Sequence, residues 1–155
     1  MLRATIYKDE KGYILYSQSK TLAGFHIGTP NSRIWNDEAE KRLVDALFIT
    51  LSAYKEKVET PKFNKKLDES KKQEIRRKCK ELGIKSMSSL DKKPVLMCSV
   101  EMNDKIISLT SWQHDLSMKG RGYTINDNLI PIQITADDNK QNILKAIEAA
   151  FENCE

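Results

Sequence analysis

At 155 residues the chain holds one domain's worth of material, enough to bury about two-thirds of its unfolded surface without a metal or disulfide staple. Cys79, Cys98 and Cys154 are odd in number with no C-x-x-C spacing, and His26 and His114 stand apart; this argues against a zinc cluster or disulfide framework and for reduced, buried thiols. The net charge is +4, but Lys55 to Lys80 alone carries eleven basic and five acidic side chains, a local +6 that leaves the remainder at −2.

Taken in chain order, Ala4-Thr5-Ile6-Tyr7 alternates across a strand, with Thr5 and Tyr7 on one face and Ile6 on the other. Asp9-Glu10-Lys11-Gly12 supplies a turn, and Tyr13-Ile14-Leu15-Tyr16-Ser17 pairs back. Gly24-Phe25 leads to a third strand at Arg33-Ile34-Trp35, after which Asn36 is placed as the cap of a helix with Asp37 and Glu38 in its first turn. Leu43, Ala46, Leu47, Thr50, Leu51 and Tyr54 mark the apolar stripe of that helix.

The basic connector follows. Thr60-Pro61 ends the first helical region and Lys62 to Asn64 reads as a loop. Asp68-Glu69-Ser70 opens a second helix with a narrow stripe of Leu67, Ile75, Cys79 and Leu82, and Gly83 terminates it. Lys71, Lys72, Arg76, Arg77 and Lys78 are candidate phosphate contacts, although interspersed Glu74 and Glu81 suit a solvated face and no aromatic residue offers base stacking. Ser86 is placed as the cap of one further turn through Met87-Ser88-Ser89-Leu90.

The last third repeats the plan of the first. Pro94 to Val100 and Lys105 to Thr110 form a hairpin about Asn103-Asp104. After Gly120-Arg121-Gly122-Tyr123, Leu129 to Ile134 is a strand that Pro131 confines to an edge. Thr135 is placed as a helix cap, with Asp137 and Asp138 in the first turn and Ile143, Ile147, Phe151 and Cys154 along one stripe. Aligned at their starts, Leu43, Ala46, Leu47 and Leu51 of the first helix fall against Ile143, Ala146, Ile147 and Phe151, the pattern of a degenerate duplication. The fold class is therefore α+β: a single domain with a mixed or antiparallel sheet of about six strands. Two ββ(β)α-like halves, residues 1–58 and 94–155, build it, with helices packed on one face and a Lys-rich helical connector over 59–93.

The order of parts from the connector onward resembles a known family. A helix ending in Leu82-Gly83-Ile84-Lys85-Ser86, a turn ending at Leu90, a hairpin, a Gly-aromatic pair, an isoleucine strand and a closing helix with Ile143, Ala146, Ile147, Ala150 and Cys154 are similar to the immunity proteins of contact-dependent growth inhibition (CDI) systems. The resemblance implies a cytoplasmic antitoxin that binds and neutralises the C-terminal toxin domain, a nuclease in many such systems, of a cognate effector. It implies no enzymatic activity and no cofactor, and it hands over no contact residues because these side chains build a core.

Catalytic sets are not evident. Asp137-Asp138 at a helix start do not converge, His114-Asp115 has no nucleophile beside it, and Gly120-Arg121-Gly122 is too short for a phosphate cradle. No apolar run approaches the roughly 18 residues of a membrane span, and no apolar stretch precedes the first charges of the N-terminus. The expected location is the cytoplasm, with no membrane partner. The composition of an interface lies instead between Trp112 and Tyr123. There Trp112, His114, Asp115, Arg121 and Tyr123 are the candidate toxin-binding residues, with His114, Asp115 and Arg121 expected on the surface and Trp112 and Tyr123 suited either to the core or to the interface. Nucleic acid binding through Lys71, Lys72, Arg76, Arg77 and Lys78 is the alternative, and a homodimer is compatible with the sequence.

Overall fold

The computed structural model describes residues 1–62, 66–118 and 122–155. Three strands open the chain as an antiparallel meander, β1 (Leu2–Asp9), β2 (Gly12–Thr21) and β3 (His26–Trp35). The β1–β2 turn forms where expected, because the Asp9 carboxylate accepts the Lys11 and Gly12 amides at 2.9 and 3.1 Å. Gly12 has φ +144°, and a Cβ there would lie 2.3 Å from the Ile34 carbonyl oxygen, so no other residue fits this corner. Helix α1 (Ala39–Ser52), the short strand β4 (Lys55–Val58) and helix α2 (Glu69–Leu82) follow. The second half comprises β5 (Leu96–Asn103), β6 (Ile106–His114), β7 (Tyr123–Ile125), β8 (Ile132–Thr135) and α3 (Lys140–Glu152).

The sheet runs β3-β2-β1-β5-β6-β7, with β8 on the same edge of β6 as β7 and β4 parallel to the end of β2. Its eight strands are two more than expected. The surplus is β4 and β7, of four and three residues, too short to carry an alternating apolar signature. The two halves join at the centre through β1 and β5, antiparallel, with Thr5 opposite Ser99.

Alternation along the strands separates two faces. Ala4, Ile6, Tyr13, Leu15, Cys98, Val100, Ile107 and Leu109 point to one side and meet Leu43, Val44, Leu47 and Leu51 of α1 and Ile143, Leu144, Ile147, Ala150 and Phe151 of α3. The helical positions aligned in the sequence thus share one core. Helix α2 lies on the opposite face, where Leu82 packs with Ile14, Leu90 and Val95. Its ends form as expected: Asp68 accepts the Lys71 amide at 2.8 Å, and Gly83 adopts the left-handed conformation at φ +68°.

Three caps differ from expectation. Asn36 begins a 3₁₀ turn, Asn36–Glu38, and its side-chain amide donates to the Glu10 carbonyl at 2.7 Å, so α1 starts later, at Ala39. Thr135 stays in β8; Asn139 caps α3 by accepting the Asn142 amide at 2.8 Å. Asp137 and Asp138 therefore precede the helix, one paired with Lys105 at 2.9 Å, the other bonded to Asn139 and Asn142. Ser86 starts its 3₁₀ turn, Met87–Asp91, through its carbonyl, which accepts the Ser89 amide and hydroxyl, and not through its hydroxyl. Cys79 and Cys98 are buried thiols, whereas Cys154 is half-buried and donates to the Met97 carbonyl at 3.1 Å. The loop expected at Lys62 to Asn64 lies, beyond Lys62, outside the described residues.

Candidate partner-binding face

The face opposite α1 and α3 is covered only in part. At one end, Arg33 binds α2 to the sheet: its Nε donates to the Leu82 carbonyl, and both terminal nitrogens donate to Asp9, all at 2.7 Å. Burial alone would raise the Asp9 carboxyl, but hydrogen bonds from Arg33, Lys11 and Gly12 and the Arg33 charge outweigh it and hold the group below its ordinary value. Next to this clamp, three tyrosines and a histidine form a chain of ring contacts, Tyr16–Tyr7–Tyr123–His114, with centroids 5.2, 6.3 and 4.6 Å apart. Burial pushes the Tyr7 phenol up to about 12 and those of Tyr16 and Tyr123 higher still. These rings anchor residues 87–95, as Tyr16 donates to Met87 Sδ at 3.0 Å and Tyr123 to the Leu90 and Val95 carbonyls at 2.5 and 2.9 Å.

Beyond the tyrosines the sheet is open, and its register sets out a floor of small polar residues. Thr5, Ser99 and Thr110 stand opposite one another across β1, β5 and β6, and the next row holds Arg3, Glu101, Ser108 and Gln133. Most of the floor is fixed by internal bonds. Gln18 donates to Thr5 at 2.9 Å, Trp112 Nε1 to Ser99 at 2.8 Å, and Arg3 pairs with Glu101 at 3.0 Å. Arg3 also lies 3.5 Å from His26 Nδ1, while Arg3 Nε is buried with no hydrogen-bond partner. Desolvation and the Arg3 and Lys20 charges hold His26 below its ordinary value and favour the neutral ring; because a guanidinium can only donate, the Arg3 contact makes Nδ1 the acceptor. With Trp112 and Ile125 as one wall, these residues enclose a hollow of about 380 Å³.

A second hollow of about 540 Å³ lies between α2 and the β2–β3 edge, lined by Tyr16, Gly28, Pro30, Ile75 and Met87 with charged residues of α2 along its rim. The spacing arises from a bulge in β3: Leu15 faces Ser32 but Tyr16 faces Pro30, and the intervening Asn31 carbonyl accepts from Lys78 Nζ at 3.4 Å. Pro30 is tolerated there because β3 is an edge strand.

The interface residues expected between Trp112 and Tyr123 separate in the structure. Trp112, Gln113 and His114 are the end of β6, not a loop, and Tyr123 begins β7. Of the four that are described, Trp112 lines the open floor and the other three do not. His114 is 6% exposed, contrary to its expected surface position, because β6 continues through it and turns it under residues 90–95, where Nε2 meets the Val95 carbonyl at 2.6 Å. Asp115 is half-buried and its carboxylate accepts the Ser117 amide and hydroxyl, so it does not orient His114. Arg121, with Gly120, lies outside the described residues. Arg3, Gln18, His26 and Glu101 were missed: they are scattered over four strands, and only the pairing register brings them together. Among the described residues no cluster of three or more His, Cys, Asp or Glu side chains could hold a metal ion, and no helix is long and apolar enough to cross a membrane. Lys71, Lys72, Arg76 and Arg77 are exposed on α2, and Lys78 is held by Asn31 and Glu81.

Two solved structures share this fold over nearly the whole chain. One is a protein of unknown function from Neisseria meningitidis, at a TM-score of 0.72 and 16% identity, covering 99% of this chain and 95% of that one. The other belongs to the CdiA-CT/CdiI toxin and immunity complex from Yersinia pseudotuberculosis, at a TM-score of 0.64 and 13% identity, covering 99% and 97%. No family model and no curated protein matches the sequence. At these identities the likeness is one of architecture.

Proposed function

We propose that this chain is an immunity protein, an antitoxin that binds the C-terminal toxin domain of a cognate CDI effector in the cytoplasm and neutralises it without chemistry of its own. The observation that carries this reading is the whole-chain fold likeness to a chain of the CdiA-CT/CdiI toxin and immunity complex. The open face supports it: its polar groups largely satisfy one another before any partner arrives, so little ordering cost remains on binding. In this role the inhibitor occludes the toxin's substrate groove, and the toxin is a nuclease. Protection at low toxin concentration needs a dissociation constant of about 1 nM, near 12 kcal/mol, which a standard interface with a few buried anchors provides.

The test is co-expression with the toxin domain encoded beside this chain, scoring survival and a co-purifying complex. Unrelieved killing together with failure to recover a complex contradicts the proposal. A second reading, a nucleic-acid module, is favoured by the exposed Lys71, Lys72, Arg76 and Arg77 of α2; generic duplex binding that falls steeply with salt supports it, and no binding at low salt removes it.

A further inference from the structure

We propose that the tip of the β2–β3 hairpin, Leu22-Ala23-Gly24-Phe25, is a membrane-docking element that enters the surface of a bilayer carrying anionic lipid. Leu22 is 70% and Phe25 38% exposed, Ala23 and Gly24 are exposed as well, and no polar or charged side chain lies among the four. What sets the tip apart from a scattered apolar surface residue is its main chain. Every amide from Thr21 to Phe25 donates inside the protein. Thr21 donates to the Phe25 carbonyl at 2.8 Å, Leu22 to the Val58 carbonyl at 3.0 Å and Gly24 to the Thr21 carbonyl at 3.0 Å. Ala23 donates to Thr60 Oγ1 at 3.2 Å and Phe25 to Thr21 Oγ1 at 3.3 Å. Water would serve these amides equally well at an exposed turn, whereas entry into an apolar medium demands internal partners, because nothing there replaces the bond to water.

The surroundings select the occupant. Lys55 pairs opposite Ser19 and Val58 opposite Thr21, so β4 lies along the base of the tip, and Val58 and Thr60 hold it in place. The segments that form this base and continue from it expose four lysines, Lys20, Lys55, Lys57 and Lys62, against two exposed carboxylates, Glu56 and Glu59. An apolar tip with an excess of lysine at its base matches an anionic bilayer: apolar side chains reach the boundary between headgroups and acyl chains while ammonium groups stay level with the lipid phosphates. A protein partner suits the tip less well, because protein interfaces carry a hydrogen bond for about every 100–200 Å² and the tip has no amide left to give. A nucleic acid would use the lysines and leave Leu22 without a role. The expectation of no membrane partner rests on the length of apolar runs, which governs crossing and not surface association. Docking on the inner face of a membrane is compatible with a cytoplasmic protein, and the inference stands apart from the immunity reading.

Co-sedimentation of the full chain with vesicles tests this. The wild-type chain is expected to bind phosphatidylcholine vesicles containing phosphatidylglycerol about 10-fold more tightly than vesicles of phosphatidylcholine alone. Leu22→Ser is expected to weaken that binding about 5-fold at unchanged melting temperature. A single-tryptophan chain, Leu22→Trp in a Trp35→Phe, Trp112→Phe background, reads the depth: its emission is expected to shift to the blue on the mixed vesicles and to be quenched by bromine placed on the acyl chains. No binding to the mixed vesicles at low salt overturns the proposal. Binding that Leu22→Ser leaves unchanged, or a tryptophan that acyl-chain bromine does not quench, overturns it in favour of a purely electrostatic contact such as the exposed lysines of α2 would make. Loss of toxin binding in Leu22→Ser, with no vesicle binding by the wild-type chain, overturns it in favour of a protein contact. Should the single-tryptophan chain fail to fold, Leu22→Ser, at a side chain 70% exposed, decides alone.

Discussion

Trp112 donates its indole N–H to the Ser99 hydroxyl at 2.8 Å, which holds the ring as a fixed wall of the open floor. A half-buried tryptophan with one locked orientation loses little freedom on binding and offers a large area. Trp112→Ala is expected to weaken toxin binding by about 2 kcal/mol or more, roughly 30-fold. Trp112→Phe keeps the ring area and loses the bond, at about 1 kcal/mol. In a Trp35→Phe background Trp112 is the single tryptophan, and its emission is expected to shift when the toxin domain is added. An unchanged spectrum at saturation would place the contact elsewhere.

Arg33 and Asp9 are expected to govern stability and not binding. Their side chains are 3% and 15% exposed, and removing one partner of a buried pair costs about 3–5 kcal/mol. Arg33→Met is expected to lower the denaturant midpoint by that measure, and to loosen α2, whose last carbonyls Arg33 helps satisfy. Because the Asp9 carboxyl is held below its ordinary value in the folded chain, its contribution is complete above the unfolded value of about 3.9 and is lost as pH falls through the folded one. Asp9→Asn should flatten the acid limb of a stability–pH profile; an identical limb would show that other carboxylates control it.

Gly83 offers a second stability test. It has φ +68°, and a Cβ there would lie 2.9 Å from Trp35 Cη2, the ring against which Arg33 stacks at 5.0 Å. Gly83→Ala is expected to destabilise by about 1–2 kcal/mol, the sum of left-handed strain and a displaced ring. A neutral effect in chemical denaturation would show that Trp35 moves aside freely.

Tyr123 and His114 are expected to matter for folding alone. Tyr123→Phe leaves the Leu90 and Val95 carbonyls without their phenol donor, at about 1 kcal/mol of stability. Toxin affinity, measured where both proteins are fully folded, is expected to stay within 2-fold. A tenfold loss would return Tyr123 to the interface.

His26 should titrate below 6.5 in the free protein, with burial and the neighbouring Arg3 and Lys20 as causes. A lowered histidine contributes fully above its unfolded value, and that contribution declines as pH falls through about 6.5 towards the folded value. Arg3→Gln should raise the midpoint of the His26 ring resonance. A midpoint unmoved by that change would show that burial alone sets it.

Sequence periodicity revealed the parts of this fold more fully than it did the site. Strands with alternating Ile, Leu and Tyr, and helices with Leu47 or Ile147 at regular spacing, announce themselves because burial demands that pattern. Lys55–Val58 and Tyr123–Ile125 do not, because main-chain pairing at two or three positions recruits them to the sheet whatever their side chains. The same limit hid the floor. Thr5, Gln18, Ser99 and Glu101 look like unremarkable strand residues, and they become neighbours only when β1 pairs with both β2 and β5. His114 misled for a related reason: a polar neighbourhood in sequence suggested a loop, whereas β6 runs four residues beyond Thr110 and buries it.

Survival of cells expressing the neighbouring toxin domain, with and without this chain, tests the central claim most directly. The wild-type chain is expected to restore growth, and the Trp112→Ala chain to restore less at equal folded abundance. Continued killing in the presence of abundant, folded wild-type chain would contradict it.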